Sequence, residues 1–292
     1  MTQSAPPPGT ALRDIWMDAA QRLEDAGVDD ARFEAEVLLR HACGRTRAEL
    51  YANLTDTLDP EVRERFEATL ARRITREPLA YITGNREFFR LEFEVSPAVL
   101  VPRPESELLV EAALDHLRRL RVRRARIVDV GTGSGAIGIA IAKNRRDAQL
   151  LGIDASVEAL QVARRNAKRL LPRRPSDWLQ GDLLTGVSGP IDCIVANLPY
   201  IPDGRLQELE PEVAEHEPRQ ALTPGTAGTE LILRLLTQLG SRMTPQGIAI
   251  LEIDPGQQGE VTSTLGRILP MATVDVLEDL SGDPRAIKIV NG

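Results

Sequence analysis

The chain has 292 residues, with 36 Lys+Arg against 43 Asp+Glu and a formal net charge of -7. Its composition is typical of a soluble globular protein, and the length suffices for one large or two ordinary domains. The excess of acidic residues argues against a protein whose affinity comes mainly from coating nucleic-acid phosphates, because such affinity needs clustered cations.

Helical periodicity governs the amino-terminal quarter of the chain. The first ten residues, MTQSAPPPGT, lack the basic and apolar parts of a signal peptide and are predicted to form a short disordered tail. Apolar residues at helical spacing then predict helices over 11–26, 31–42 and 46–54, and a further helix from Asp59-Pro60 onward. No catalytic cluster falls inside them, so 1–84 is predicted to be a small all-α bundle for recognition or support.

A change of period marks the start of the second part of the chain. Between Phe88 and Val95 apolar and polar residues alternate, which predicts a half-buried strand. We therefore assign 85–103 to a β-hairpin or connector and the stretch from Glu105 to Leu120 to a helix. The whole of 85–292 is predicted to be the second domain.

Short apolar runs alternate with amphipathic segments from Arg126 onward, which predicts an α/β fold with a doubly wound, mostly parallel sheet. The predicted strands lie at 127–130, 150–153, 177–180, 191–196 and 248–253. The last two runs, 272–277 and 286–290, are joined by a segment too short for a crossover helix. We therefore expect a hairpin there, with an antiparallel edge strand.

A glycine-rich loop, DVGTGSG from Asp129 to Gly135, ends the first parallel strand and opens a helix. Glycines at such a turn let a ligand approach backbone N–H groups at the helix start. The next strand ends in Asp154, whose carboxylate suits two ribose hydroxyls. This arrangement predicts either a dinucleotide or S-adenosylmethionine, and the alternative is a glycine turn that binds nothing.

Two further carboxylates favour S-adenosylmethionine. Asp129 would lie near the cationic amino-acid end of that cofactor, whereas dinucleotide folds usually keep this position apolar. Asp182 can accept a hydrogen bond from the adenine amino group and Leu183 can pack on the ring; alternatively, Asp182 only caps a turn. The predicted cofactor-binding residues are Asp129, Gly131, Thr132, Gly133, Ser134, Gly135, Asp154, Asp182, Leu183 and Asn197.

The tetrapeptide Asn197-Leu198-Pro199-Tyr200 follows the fourth strand and is predicted to face the same crevice as the glycine loop. The Asn197 side-chain oxygen and the Leu198 carbonyl can each accept one N–H of a planar NH2 group, while Tyr200 packs on its face. Fixing both protons orients a weakly nucleophilic nitrogen and stabilises the charge that builds on it, without a metal or covalent intermediate. We assign all four residues catalytic and substrate-binding roles; the alternative is an Asn-Pro turn that ends a strand.

Over nearly its whole length the chain resembles the N5-glutamine methyltransferases that modify peptide chain release factors, the HemK/PrmC type. The segments that carry the resemblance are EPLAYITG (77–84), VLVPRPE (99–105), the glycine loop, the Asn197 loop, EPRQAL (217–222) and LEI (251–253).

The resemblance implies a Rossmann-like class I S-adenosylmethionine-dependent methyltransferase domain and a helical domain that helps to dock the release factor. The acceptor would be the glutamine of the factor's Gly-Gly-Gln loop. It also implies that Arg103 and Glu105 lie in the segment covering the cofactor and acceptor pocket. Glu217-Pro218-Arg219 is assigned a structural or substrate-lining role.

One residue departs from the family pattern. The family usually has Asn-Pro-Pro-Tyr, whereas this chain has Leu198 at the second position. The contact assigned there uses a backbone carbonyl, which leucine retains. Asn-Leu-Pro-Tyr also occurs in adenine N6-dimethyltransferases acting on ribosomal RNA, so an adenine N6-methyltransferase of RNA or DNA stays open as an alternative. A ribosomal-protein glutamine as acceptor and a non-enzymatic binding module are the others.

Composition also bears on compartment and partners. Cys43 and Cys193 lie far apart in sequence and nothing points to secretion, so reduced thiols and a cytoplasmic location are expected. The histidines stand at no metal-ligand spacing, which argues against a metal enzyme. No apolar run approaches the ~20 residues of a membrane span. We expect class 1 release factors as partners, no membrane, metal or nucleic acid, and a monomer.

Overall fold

The computed structural model describes residues 9–120 and 122–292, which divide into two compact units. The first unit holds the described residues up to Gly84 together with the segment Glu210–His216. The second holds Asn85–Leu209 and Glu217–Gly292. Of the tail predicted to be disordered, residues 1–8 lie outside the described residues.

Apolar stripes build the helical unit. Leu23, Leu38 and Phe66 are fully buried where the first, second and fourth helices pack together. The third helix begins with a capping box, in which the side chains of Thr46 and Glu49 each accept a hydrogen bond from the other residue's backbone N–H. The helices are α1 (Leu12–Asp25), α2 (Ala31–Cys43), α3 (Arg47–Ala52), α4 (Pro60–Ile74), the short α5 (Leu79–Thr83) that the periodicity did not predict, and the later α9 (Pro211–His216).

A two-stranded antiparallel hairpin opens the second unit, with β1 (Asn85–Phe88) paired to β2 (Leu91–Glu94). The chain reverses at Phe89 and Arg90, whose φ angles are 48° and 59°. The continuous strand expected from Phe88 to Val95 is therefore wrong. Its alternation reports burial correctly, because Phe88 and Phe93 share a buried cluster with ring centroids 6.2 Å apart. The alternating pattern runs across this turn, because the turn contains no glycine, proline or asparagine that would have indicated it.

Within the described residues of the second unit, seven strands form one sheet in the order β5-β4-β3-β6-β7-β9-β8. Adjacent strands from β5 to β7 are parallel. Their bounds are β3 (Arg126–Val130), β4 (Gln149–Asp154), β5 (Ser176–Gln180), β6 (Ile191–Ala196) and β7 (Met243–Glu252).

Helices cover both faces of this sheet. One apolar cluster joins it to α6 (Glu107–Arg119), α7 (Ala136–Asn144) and α8 (Val157–Leu170), and another joins it to α10 (Glu230–Leu239) and α11 (Gln258–Ile268). This confirms the predicted Rossmann-like α/β class. No helix in the described ranges is both long and apolar enough to cross a membrane.

The carboxy-terminal hairpin departs from the expectation in one respect. β8 (Thr273–Glu278) and β9 (Pro284–Val290) pair antiparallel as predicted. The last strand, β9, is also antiparallel to β7, which confirms a mostly parallel sheet with an antiparallel last strand. However, β9 lies between β7 and β8, so it is not the edge strand. Burial explains the order: β9 buries Ala286, Ile287 and Ile289, whereas exposed residues alternate along β8, which suits an edge.

The strand order places a crevice at β3. From β3 the chain moves outward to β4 and β5 and then crosses to β6 on the opposite side of β3. Ligands of such sheets bind outside the carboxyl ends of the strands at this point of reversal. The glycine loop follows β3 and the Asn197 loop follows β6, so both lie at this crevice.

Candidate active site

A cleft at the carboxyl ends of the parallel strands collects most of the predicted site residues. The empty volume of the cleft is about 1110 Å³, which includes the part that is open to solvent. The predicted residues that line it are Arg103, Gly131, Thr132, Gly133, Ser134, Asp154, Asp182, Leu183, Asn197, Leu198 and Pro199. Among the described residues, the lining does not include Glu105, Asp129, Gly135 or Tyr200.

The glycine loop adopts a backbone that side chains disfavour. Gly131, Gly133 and Gly135 have φ of +70°, +54° and +82°, in the left-handed region. A Cβ at Gly135 would stand 2.7 Å from Ile139 Cδ1, so this glycine permits the tight start of α7. A Cβ at Gly133 would meet nothing within 4 Å, which leaves room for a ligand against the loop backbone.

Two backbone N–H groups hold the carboxylate of Asp154 at the cleft. Its Oδ2 accepts from Gly133 N and its Oδ1 from Ser156 N, both at 2.9 Å. Burial raises the pKa of Asp154 and these hydrogen bonds oppose that rise. Each oxygen keeps a further lone pair, so the carboxylate can accept from two adjacent hydroxyls.

Asp129 lies beneath the glycine loop with 1% of its surface exposed. Its Oδ2 accepts from the Thr132 hydroxyl at 2.7 Å and from Gly138 N at 3.0 Å, which ties the loop to the first turn of α7. Burial raises the pKa of Asp129 to about 6, although both hydrogen bonds act to lower it. A role near the amino-acid end of the cofactor stays a prediction.

Asp182 and Leu183 follow β5 and line the cleft, but their side chains differ in burial. Leu183 is buried in the apolar cluster below the cleft. Asp182 is largely exposed at the rim, where its Oδ2 accepts from Arg234. An adenine ring against Leu183, with its amino group toward Asp182, stays a prediction.

The Asn197 amide belongs to a buried chain of hydrogen bonds. Its Nδ2 donates to Ser106 Oγ at 3.0 Å, and the Ser106 hydroxyl donates to Glu252 Oε2 at 2.6 Å. The Tyr200 hydroxyl donates to the other oxygen of Glu252 at 3.3 Å. Burial raises the pKa of Tyr200, and the nearby Glu252 charge adds to the rise. The tyrosine is therefore fixed by its hydroxyl, and its contact with substrate stays a prediction.

Sequence reasoning missed Ser106 and Glu252. Both are buried, at 3% and 2% exposure. A signal for Glu252 exists, since it is a carboxylate inside the apolar run of β7 and buried charges require partners. Ser106 directly follows the PRPE segment, but nothing local indicates that it reaches the Asn197 loop.

Arg103 lines the cleft and forms an ion pair with Glu217, with Nη2 to Oε1 at 2.6 Å. The Glu217 side chain is 1% exposed, and burial raises its pKa while Arg103 opposes the rise. Pro218 also lines the cleft, so the EPR segment has both a structural contact and a lining position. Glu105 is exposed.

The lining fits a nucleoside cofactor. The Asp154 carboxylate offers an acceptor pair for vicinal hydroxyls, Gly133 leaves its backbone open, and Ile153 and Leu183 supply apolar walls. The described residues contain no group of three or more His, Cys, Asp or Glu side chains that could hold a metal ion.

Two families match the chain. Residues 14–84 match the family described as PrmC N-terminal domain, and 105–225 match the methyltransferase small domain. A release factor glutamine methyltransferase of Nitratidesulfovibrio vulgaris is 37% identical over 282 residues, which cover 94% of each chain. One of Moorella thermoacetica is 40% identical over 276 residues, 94% of this chain and 96% of that one.

A solved structure shares the fold of part of this chain. A 16S rRNA methyltransferase of T. thermophilus, in complex with AdoMet and guanosine, matches with a TM-score of 0.52 at 18% identity. The match covers 71% of this chain and 50% of that chain. At this identity the likeness shows the methyltransferase fold alone.

Proposed function

The chain belongs to the release factor glutamine methyltransferase family, and we propose that Asn197 and Leu198 hold the glutamine amide that it methylates. The enzyme uses S-adenosylmethionine to methylate the side-chain nitrogen, N5, of a glutamine in peptide chain release factors. Adenine methylation, the alternative kept open above, is not favoured by these relatives.

One observation carries the proposal for Asn197. Its Nδ2 is engaged by Ser106, whereas its Oδ1 receives no hydrogen bond from residues 9–120 or 122–292. Asn197 and Leu198 both line the cleft that also holds Asp154. Asn197 Oδ1 is therefore available, beside the proposed cofactor site, to accept a hydrogen bond from an N–H group of the substrate amide.

Asp154, Leu183 and the glycine loop would hold S-adenosylmethionine, which supplies an electrophilic methyl group. The amide nitrogen is a weak nucleophile because its lone pair is delocalised into the carbonyl. Asn197 Oδ1 and the Leu198 carbonyl would each accept a hydrogen bond from one of its two N–H groups, which orients the nitrogen. The same acceptors would stabilise the positive charge that grows on the nitrogen as it gains the methyl group. The charge is removed when one of the two N–H protons leaves to water, which gives the neutral N-methyl amide.

The partner side of the proposal concerns the Gly-Gly-Gln loop of class 1 release factors. We assign residues 1–84 to docking the factor, since 14–84 match a domain found in this family. Arg103 is assigned to the acceptor side of the cleft that it lines, with Glu105 in the same segment. We also propose that the enzyme acts as a cytoplasmic monomer.

The test is methyl transfer from labelled S-adenosylmethionine to purified release factor. We expect label on the Gly-Gly-Gln glutamine, none on a factor with that glutamine changed to alanine, and none on RNA or DNA. Asn197→Ala should lower the single-turnover rate by roughly 100-fold while the cofactor Kd stays within about threefold, because the lost contact is to the acceptor. Equal labelling of the alanine factor would contradict the proposed acceptor.

A further inference from the structure

We propose that Glu252, acting through Ser106, sets which way the Asn197 amide faces and is a positioning residue for glutamine methylation. The proposal rests on the role of Asn197 given above. It concerns a carboxylate that lies outside the cleft lining.

The direction of the hydrogen bonds follows from what each group can donate. Ser106 donates the hydrogen bond of its single hydroxyl proton to Glu252 Oε2. The Ser106 oxygen then has only lone pairs left. Asn197 must therefore turn its NH2 toward Ser106, as the 3.0 Å contact from Nδ2 shows.

The direction of these hydrogen bonds decides which atom of the Asn197 amide faces the substrate glutamine. With Nδ2 bound to Ser106, the oxygen of the same amide is the atom left to face an incoming group. If the amide rotated by half a turn, its NH2 would meet the NH2 of the glutamine, donor against donor. The hydrogen bonds from Asn197 through Ser106 to Glu252 thus select the orientation of Asn197 whose oxygen can accept a hydrogen bond from the substrate amide.

The burial of Glu252 supports a role beyond packing. The residue is 2% exposed, and a buried carboxylate destabilises a fold unless it is well partnered. Among the described residues its side-chain hydrogen bonds come from two hydroxyls, those of Ser106 and Tyr200. Burial raises the pKa of Glu252, and the hydrogen bonds from Ser106 and Tyr200 and the charge of Arg285, which bonds Asp279, oppose the rise.

The two carboxylate oxygens of Glu252 are both connected by hydrogen bonds to the Asn197 loop. Oε2 reaches Asn197 through Ser106, and Oε1 binds the hydroxyl of Tyr200 directly. One carboxylate therefore fixes the first and the last residue of the Asn-Leu-Pro-Tyr tetrapeptide. Facing charges are Arg285 on β9, which favours the ionised form, and Glu105 before α6, which opposes it.

Three substitutions separate orientation from packing. Ser106→Ala removes the relay, whereas Ser106→Thr keeps the hydroxyl. Glu252→Gln keeps the shape but replaces one acceptor oxygen with a donor, so either Ser106 or Tyr200 loses its acceptor. We expect Ser106→Ala and Glu252→Gln to lower the single-turnover rate about 10- to 100-fold, and Ser106→Thr to retain it within about threefold.

The cofactor Kd and the thermal midpoint are measured on every variant, so that a misfolded variant is identified and set aside. Glu278→Gln, an exposed carboxylate on β8, is the control and should match wild type. A folded Ser106→Ala enzyme with an unchanged rate overturns the inference even when Glu252→Gln does not fold. So does a Ser106→Thr enzyme that is as slow as Ser106→Ala.

The double variant Ser106→Ala/Asn197→Ala gives the sharpest result. If Ser106 acts only by orienting Asn197, the double variant should be no slower than Asn197→Ala alone, because the two losses share one cause. Additive losses would contradict the relay. If Asn197→Ala itself keeps full turnover, the proposed function fails; if Asn197→Ala is slow and Ser106→Ala is not, only this inference fails.

Discussion

The indole ring of Trp178 lies directly against the backbone of Gly152, its cross-strand neighbour, so that a Cβ at residue 152 would stand 2.3 Å from Cζ3. Real side chains do not approach this closely, and the bulk of the indole cannot move without disturbing the cluster it packs on. We therefore predict that Gly152→Ala lowers the free energy of unfolding by about 1–3 kcal/mol, measured in urea.

The matched control for this prediction removes the ring. In a Trp178→Leu background, Gly152→Ala should cost much less, because the atoms that the new methyl group meets are gone. An equal cost in both backgrounds would show that the alanine acts on something other than the indole.

Trp178 is half-buried and packs against the cluster that the sheet shares with α6, α7 and α8. The strand and helix alternation and the position of the glycine loop were predictable from the sequence, because each depends on residues that are close in sequence.

The contacts that sequence reasoning missed join distant residues. Ser106 and Asn197 are 91 positions apart, and Ser106 and Glu252 are 146 apart. Hydrophobic periodicity carries no information about such pairs, so the relay that orients Asn197 could not be derived. The place of β9 between β7 and β8 was missed likewise, because a hairpin pattern does not say which of its strands joins the sheet.

Asp154→Ala should act on cofactor binding rather than on the methyl-transfer step. The carboxylate lies in the cleft with both oxygens already oriented by Gly133 and Ser156. Losing hydrogen bonds to a charged group costs about 1.5–3 kcal/mol, which corresponds to a rise in Kd of roughly 10- to 150-fold for S-adenosylmethionine. Calorimetric titration measures the Kd, and the rate at saturating cofactor should change far less.

Asp177→Ala is the control for this variant, since Asp177 is an exposed carboxylate on β5. Its Kd should equal that of wild type. A large fall in the saturated rate of Asp154→Ala, with Kd unchanged, would contradict the ribose role.

Leu198→Pro tests the departure from the usual Asn-Pro-Pro-Tyr pattern. In the described chain the backbone N–H of Leu198 donates no hydrogen bond, so proline removes none. Its carbonyl, the proposed acceptor, is kept, and we expect the rate of transfer to stay within about threefold of wild type. A loss of more than about tenfold would show that the leucine backbone itself matters.

Leu198→Pro should lower the stability of the fold even though it leaves the rate of transfer nearly unchanged. The Leu198 side chain is 4% exposed, and its Cδ2 stands 2.9 Å from the position of a Cβ on Gly131. Replacing it with the smaller proline removes buried contacts, so the free energy of unfolding should fall by about 1–3 kcal/mol. Leu198→Ala, which removes more of the buried side chain but keeps the N–H, is the comparison and should lower stability at least as much.

In the helical unit, the contacts of Glu212 with two arginines should make the free energy of unfolding depend on pH. It accepts hydrogen bonds from Arg76 at 2.6 Å and from Arg73 at 2.8 Å, and its side chain is 17% exposed. Burial alone would raise its pKa, but the hydrogen bonds from Arg76 and Arg73 outweigh burial and lower it from 4.5 to about 2. The ionised form is therefore the one that stabilises the fold.

Because the folded pKa lies below the unfolded one, this stabilisation is complete above about pH 4.5 and is lost as the pH falls toward 2. Glu212→Gln should cost about 1–3 kcal/mol at pH 7, and the cost should shrink through this window. Urea unfolding of the full chain at a series of pH values measures it. Glu210→Gln, whose carboxylate pairs with Arg76 but is 72% exposed, should cost under about 0.5 kcal/mol. A cost for Glu212→Gln that did not change with pH would mean that shape, not charge, holds this segment to the helices.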